Sequence, residues 1–114
     1  MPREPLLHSI HTPEFEASAA ETLDDGELRA AQLNLQENPE AGRLIAGTGG
    51  ARKLRVATGR RGKSGGARVI YYYKSRAHTV YLLLAYSKSE ADNLSAVGKK
   101  LLREILRAID REEG

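Results

Sequence analysis

At 114 residues the chain has the length of one domain, spanning 1–114, with enough buried surface for a core that needs no covalent staples. It contains no cysteine, which excludes disulfides, thiolate zinc sites and a cysteine nucleophile, and no apolar run approaches the ~20 residues of a membrane span. The formal charge of +3 hides a polarised chain: residues 1–40 hold nine acids against Arg3 and Arg29, whereas Ala41–Ser89 carry eleven Lys and Arg and no Asp or Glu.

The segment around Pro5–His11 reads as a short strand. Thr12-Pro13 then supplies a helix cap and a first-turn proline. Phe15, Ala19 and Leu23 share one face of the helix that follows. Asp24, with Glu27 three residues on, predicts a capping box opening a second helix with Leu28, Ala31 and Leu35 inward, stopped at Asn38-Pro39. The two helices form a hairpin that is acidic outside.

From Gly47 the period changes to two. Leu54 and Val56 fall on one side of a strand and Lys53 and Arg55 on the other. After the glycine-rich turn Gly59–Gly66, the apolar runs Val69–Tyr73 and Val80–Tyr86, separated by polar Lys74–Thr79, complete a meander of three antiparallel strands. The second run is apolar throughout, so it is expected to be the central strand. Leu94, Val97, Leu101, Leu102, Ile105, Leu106 and Ile109 then make the stripe of a terminal helix that packs on the sheet. The fold class is therefore α+β. Nothing in the opening MPREPLLHSI resembles a long apolar leader, and a cytoplasmic protein without membrane contact is expected.

A window of 49 residues without a carboxylate cannot neutralise itself locally, and nucleic acid is the commonest polyanion that matches such a surface. Ala57–Ser64 fits a relaxed phosphate-loop pattern, but a phosphate loop leads into a helix and this one leads into the strand Val69–Tyr73. A metal-dependent nuclease clamps its ion between carboxylates, and the basic window offers none; no metal or cofactor is expected. His8, His11 and His78 lack triad or metal spacing. Tyr71, Tyr72 and Tyr73 alternate faces, so at least one belongs to the core. Lys53 and Arg55 on one strand face, Arg68 at the start of the next strand and Lys88 after the last can converge on one phosphate. Such a cluster stabilises the more anionic transition state of metal-free RNA cleavage. Arg52, Arg60, Arg61, Lys63 and a stacking Tyr72 are the expected further RNA contacts.

Asn38-Pro39, the run GTGGARKLR from Gly47 to Arg55, GKSGGARVIYY from Gly62 to Tyr72, AYSKSE from Ala85 to Glu90 and DNLS from Asp92 to Ser95 resemble the RelE/HigB toxins of bacterial toxin–antitoxin systems, most closely the HigB branch. The resemblance implies two N-terminal helices and a C-terminal helix on a small, mainly antiparallel sheet. It also implies a ribosome-dependent endonuclease that cuts mRNA in the decoding site. Its partners are then the ribosome, mRNA and a helix-turn-helix, HigA-like antitoxin, with operator DNA bound only through the antitoxin. The family's paired strand cations fall on Lys53 and Arg55, its transition-state arginine on Arg68, and its lysine after the last strand on Lys88. Ser89 stands where some relatives have an arginine, and Ser95 where they have a tyrosine, so no general acid or base is carried over. A ParE-like inhibitor of DNA gyrase and a non-catalytic nucleic-acid-binding module are the alternatives.

Overall fold

The computed structural model describes residues 7–59, 66–88 and 95–113. In chain order these form β1 (His8–His11), α1 (Pro13–Thr22), α2 (Asp25–Glu37), β2 (Arg43–Leu44), β3 (Ala51–Val56), β4 (Ala67–Lys74), β5 (Thr79–Ser87) and α3 (Ala96–Glu113). A single sheet in the order β1-β5-β4-β3-β2 is antiparallel except for β1, which runs parallel to β5.

Both N-terminal caps form as the sequence predicts. The Thr12 hydroxyl accepts from the Phe15 amide at 3.0 Å, and it also donates to the Leu82 carbonyl at 3.1 Å, which ties the start of α1 to β5. Asp24 and Glu27 exchange side-chain and backbone bonds at 2.7 and 2.9 Å, the reciprocal capping box. Phe15 and Ala19 from α1 and Leu23 at its C-cap, with Ala31 and Leu35 from α2, pack on Leu54, Val56, Val69, Tyr71, Val80 and Leu82. That is the main core, on one face of the sheet. On the other face a smaller core joins Leu102 and Leu106 of α3 to Ala51, Ile70, Tyr81 and Leu83.

Two features depart from the sequence reading. The middle position belongs to β4, not to the strand through Val80–Tyr86. Both strands are buried on both faces, so apolarity does not rank them; β1 supplies the second neighbour of β5. The α3 stripe is also only partly used: Leu102 and Leu106 are buried, while Val97, Leu101 and Ile105 are 70%, 54% and 42% exposed. Leu94 lies outside the described residues. The reason is the sheet beneath, where apolar side chains cover only part of the face that α3 meets.

β5 has one residue more than the stretch of β4 it opposes. Ile70 pairs with Leu84 and Tyr71 with Leu82, so Leu83 is an inserted bulge residue. At the far edge, β2 is held by a buried staple. The Tyr71 hydroxyl donates to the Pro39 carbonyl at 2.7 Å and accepts from the Gly42 amide at 2.9 Å. Gly42 permits this approach, since a Cβ there would stand 2.7 Å from the Tyr71 ring. Replacing Tyr71 with Phe strands the Gly42 N–H in the interior, and the expected cost is about 1–3 kcal/mol of unfolding free energy. Urea titration of Tyr71→Phe checks this: a lowered midpoint with an unchanged slope is expected.

Candidate functional site

Strand alternation decides what faces what. Leu54 and Val56 are committed to the hairpin core, so Lys53 and Arg55 project from the opposite face. Arg55 is directly across from Arg68, and Arg68 from Tyr86, giving one row over β3, β4 and β5. The next row runs Arg43, Lys53, Ile70, Leu84 from β2 to β5. Cross-strand partners share a face at about 4.5–5.5 Å between Cβ atoms. Thus Arg43, Lys53, Arg55 and Arg68 lie side by side on the α3 face, beside the part that the helix covers.

These residues line a groove of about 480 Å³, completed by Leu54, Ala41 and Asn34. It reaches the sheet edge because β2 is only two residues long and leaves β3 uncovered beyond Lys53. Among the described residues no carboxylate lines it. Among the described residues no group of three or more His, Asp or Glu is placed to hold a metal ion. Arg68 is only 3% exposed and donates to the Ala67 carbonyl at 3.2 Å, whereas Arg55 and Arg43 are exposed. Like charges directly opposite one another, as Arg55 and Arg68 are, weaken a sheet. An anion bound between them reverses the sign of that interaction.

The other expected contacts are distributed differently. Lys88 follows β5, and its amide donates to the Gly66 carbonyl at 3.1 Å; its side chain is exposed and does not line the groove. Arg52 faces the other way. Its guanidinium donates to the Gly42 and Glu40 carbonyls at 2.8 and 3.2 Å and pairs with the Glu40 carboxylate at 3.5 Å, bracing the segment that leads into β2. Tyr72 lies against α3, its ring stacked 6.3 Å from that of Tyr81 and its hydroxyl donating to Asp110 at 2.9 Å. Arg60, Arg61 and Lys63 fall outside the described residues. Arg43 and Asn34 are the lining residues that sequence reasoning passed over. Two residues of β2 carry no periodic signal, and Asn34 reads as an ordinary polar position on α2.

Compared with protein-family models, residues 11–112 match the RelE toxin of the RelE/RelB toxin–antitoxin system. The chain belongs to the RelE toxin family. Its fold is that of solved RelE structures. A free arginine-to-alanine double mutant of Escherichia coli RelE superposes with a TM-score of 0.55 at 15% identity, covering 76% of this chain and 88% of that one. The isolated E. coli RelE toxin gives 0.54 at 15% identity, covering 87% and 98%. The α+β architecture expected from the sequence is therefore the RelE fold. These matches do not separate a HigB branch from the rest of the family.

The latch that seats α3 has a pH signature. Burial, then the hydrogen bond and negative charge of Asp110, push the Tyr72 hydroxyl up to about 12; Asp110 also pairs with Lys74 at 3.3 Å. The unfolded chain releases that proton near the ordinary tyrosine value of about 10. Tyr72 therefore contributes stability that is full below pH ~10 and is lost as pH rises to about 12. Melting temperatures of the parent and Tyr72→Phe across pH 9–12 check the sign: the parent is expected to fall more steeply.

Proposed function

We propose that this RelE-family chain is a ribosome-dependent mRNA endonuclease that arrests translation, cleaving without a metal through Lys53, Arg55 and Arg68. The supporting observation is the groove, lined by no carboxylate among the described residues, in which Arg55 and Arg68 stand directly opposite each other with Lys53 alongside. In this reaction the 2′-oxygen of the message attacks the adjacent phosphorus and the bond to the 5′-oxygen of the next nucleotide breaks. The 2′-hydroxyl gives up its proton and the departing 5′-oxygen gains one. The products end in a 2′,3′-cyclic phosphate and a 5′-hydroxyl. Charge on the non-bridging oxygens rises towards the transition state, and fixed cations in a partly desolvated groove favour that change without reorganising. Arg68, held between strands, is the fixed element; Arg55 is the solvent-side half of the pair. Lys88, which follows β5 outside the groove lining, is assigned a phosphate of the incoming strand.

Within the same reading, the partner that silences the toxin is a helix-turn-helix, HigA-like antitoxin, through which alone operator DNA is engaged. Arg43, Lys53, Arg55 and Arg68 line the groove, and acidic side chains are the charge complement of that set.

Purified protein is expected to cut ribosome-bound message far faster than free RNA. Cleavage should persist at EDTA levels that leave ribosomes intact, with cyclic-phosphate ends. Equal cutting of naked RNA, or 5′-phosphate ends with strict metal dependence, would overturn this function. Growth arrest with intact message and inhibited gyrase would support the ParE-like alternative instead.

Arg55→Ala removes an exposed cation that stands opposite Arg68, so its melt should lie at or slightly above that of the parent. Its cleavage rate is expected to fall roughly 10²–10³-fold, equivalent to about 2.7–4 kcal/mol, and growth arrest on induction should vanish. A variant that melts normally and still arrests growth removes Arg55 from the mechanism.

A further inference from the structure

The groove extends beyond the atoms that cleavage uses. Arg43, on β2, stands across from Lys53 and therefore on the same face, one strand spacing of about 4.8 Å farther from Arg68. It is exposed, and its guanidinium has neither an ion pair nor a hydrogen bond among the described residues. Arg52, one residue before Lys53, is by contrast consumed by Glu40 and Gly42. At the same end α2 presents Asn34, whose backbone carbonyl accepts from the Asn38 amide while its side-chain amide has no partner among the described residues.

The chemistry of this pair differs from that of the remaining lining. Lys and Arg only donate, so they hold phosphates without distinguishing one base from another. Among the described lining residues Asn34 is the sole side chain that both donates and accepts. An asparagine amide can bond two adjacent atoms on a base edge, and its matched partner is adenine, which offers an amino donor beside a ring-nitrogen acceptor. Bases of single-stranded RNA are unstacked and readable in this way. A volume of about 480 Å³ lies within the range that holds a small ligand, the size class of a nucleotide.

We propose that Asn34 and Arg43 form a nucleotide subsite next to the cleaved bond, in which Arg43 holds the neighbouring phosphate and Asn34 reads the base, favouring adenine. This assignment deepens the nuclease reading and rests on it. Its test is the distribution of cut sites on a pool of ribosome-bound messages, mapped by the 5′-hydroxyl ends. The parent should show adenine enriched at one fixed position relative to the cut. Asn34→Ala, a change at an exposed helix position, should reduce that enrichment by roughly fivefold or more. Arg43→Ala should raise KM about tenfold and leave kcat within about twofold, because its phosphate contact is equal in ground and transition states; Arg43→Lys should recover part of the loss.

If the parent cleaves and Asn34→Ala keeps the same cut-site distribution, the subsite is wrong while the nuclease stands. If Arg43→Ala lowers kcat with KM unchanged, Arg43 belongs to the transition-state set and the subsite is equally overturned. If the parent cuts no ribosome-bound message, the nuclease reading falls and takes this inference with it.

Discussion

The arrangement depends on one packing constraint: Leu54 and Val56 must lie under the α1–α2 hairpin. Side chains on a strand alternate, so burying those two sends Lys53 and Arg55 to the far side. Hairpin pairing then carries the same division to β4, where Val69 and Tyr71 enter the main core while Arg68 and Ile70 face away. A slip of one residue would bury the cations and expose the core, which is why register here is strongly specified. Hydrophobic burial on one face thus acts as the positioning force for charge on the other.

That second face is divided. Ala51, Ile70, Tyr81 and Leu83 are apolar and receive α3; Lys53, Arg55 and Arg68 are cationic and line the groove beside it, Arg55 exposed and Arg68 buried. A helix with a wide apolar stripe meets a narrow apolar strip, so Leu101 and Ile105 remain in solvent. Besides the buried Leu102 and Leu106, polar contacts hold α3: Arg103 donates to the Gly47 carbonyl at 2.6 Å and Asp110 meets Tyr72 and Lys74. Stability alone would favour apolar side chains in place of the opposed arginines. Rules of this kind are broken at sites that bind something.

The parts legible in sequence were those governed by near neighbours. Thr12, Asp24 and Glu27 announce helix starts because capping bonds span three residues, and the alternation Leu54–Val56 against Lys53–Arg55 is complete within four. The antiparallel meander of β3, β4 and β5 was legible, but the place of β1 was not, since it joins β5 across about 70 residues of chain and offers only four of its own. Neighbouring cations were equally opaque. Arg52 and Lys53 look alike in sequence, and what separates them is that Arg52 meets Glu40 and Gly42 at a distance set by the β2 connection. Asn34 and Arg43 were invisible for the same reason: their groove exists only when α2 and the sheet edge come together.

The extra residue in β5 has a consequence for how this surface tolerates change. Were β5 regular from end to end, Leu84 and Tyr86 would turn towards the hairpin and Ala85 towards the groove. Because the irregularity at Leu83 absorbs one position, the stretch beneath α3 and the stretch beside Arg68 keep separate phases. The two halves of the strand are mechanically joined and geometrically uncoupled. A change of one residue in chain length at that joint can be taken up there, leaving the packing above and the charge below in their places.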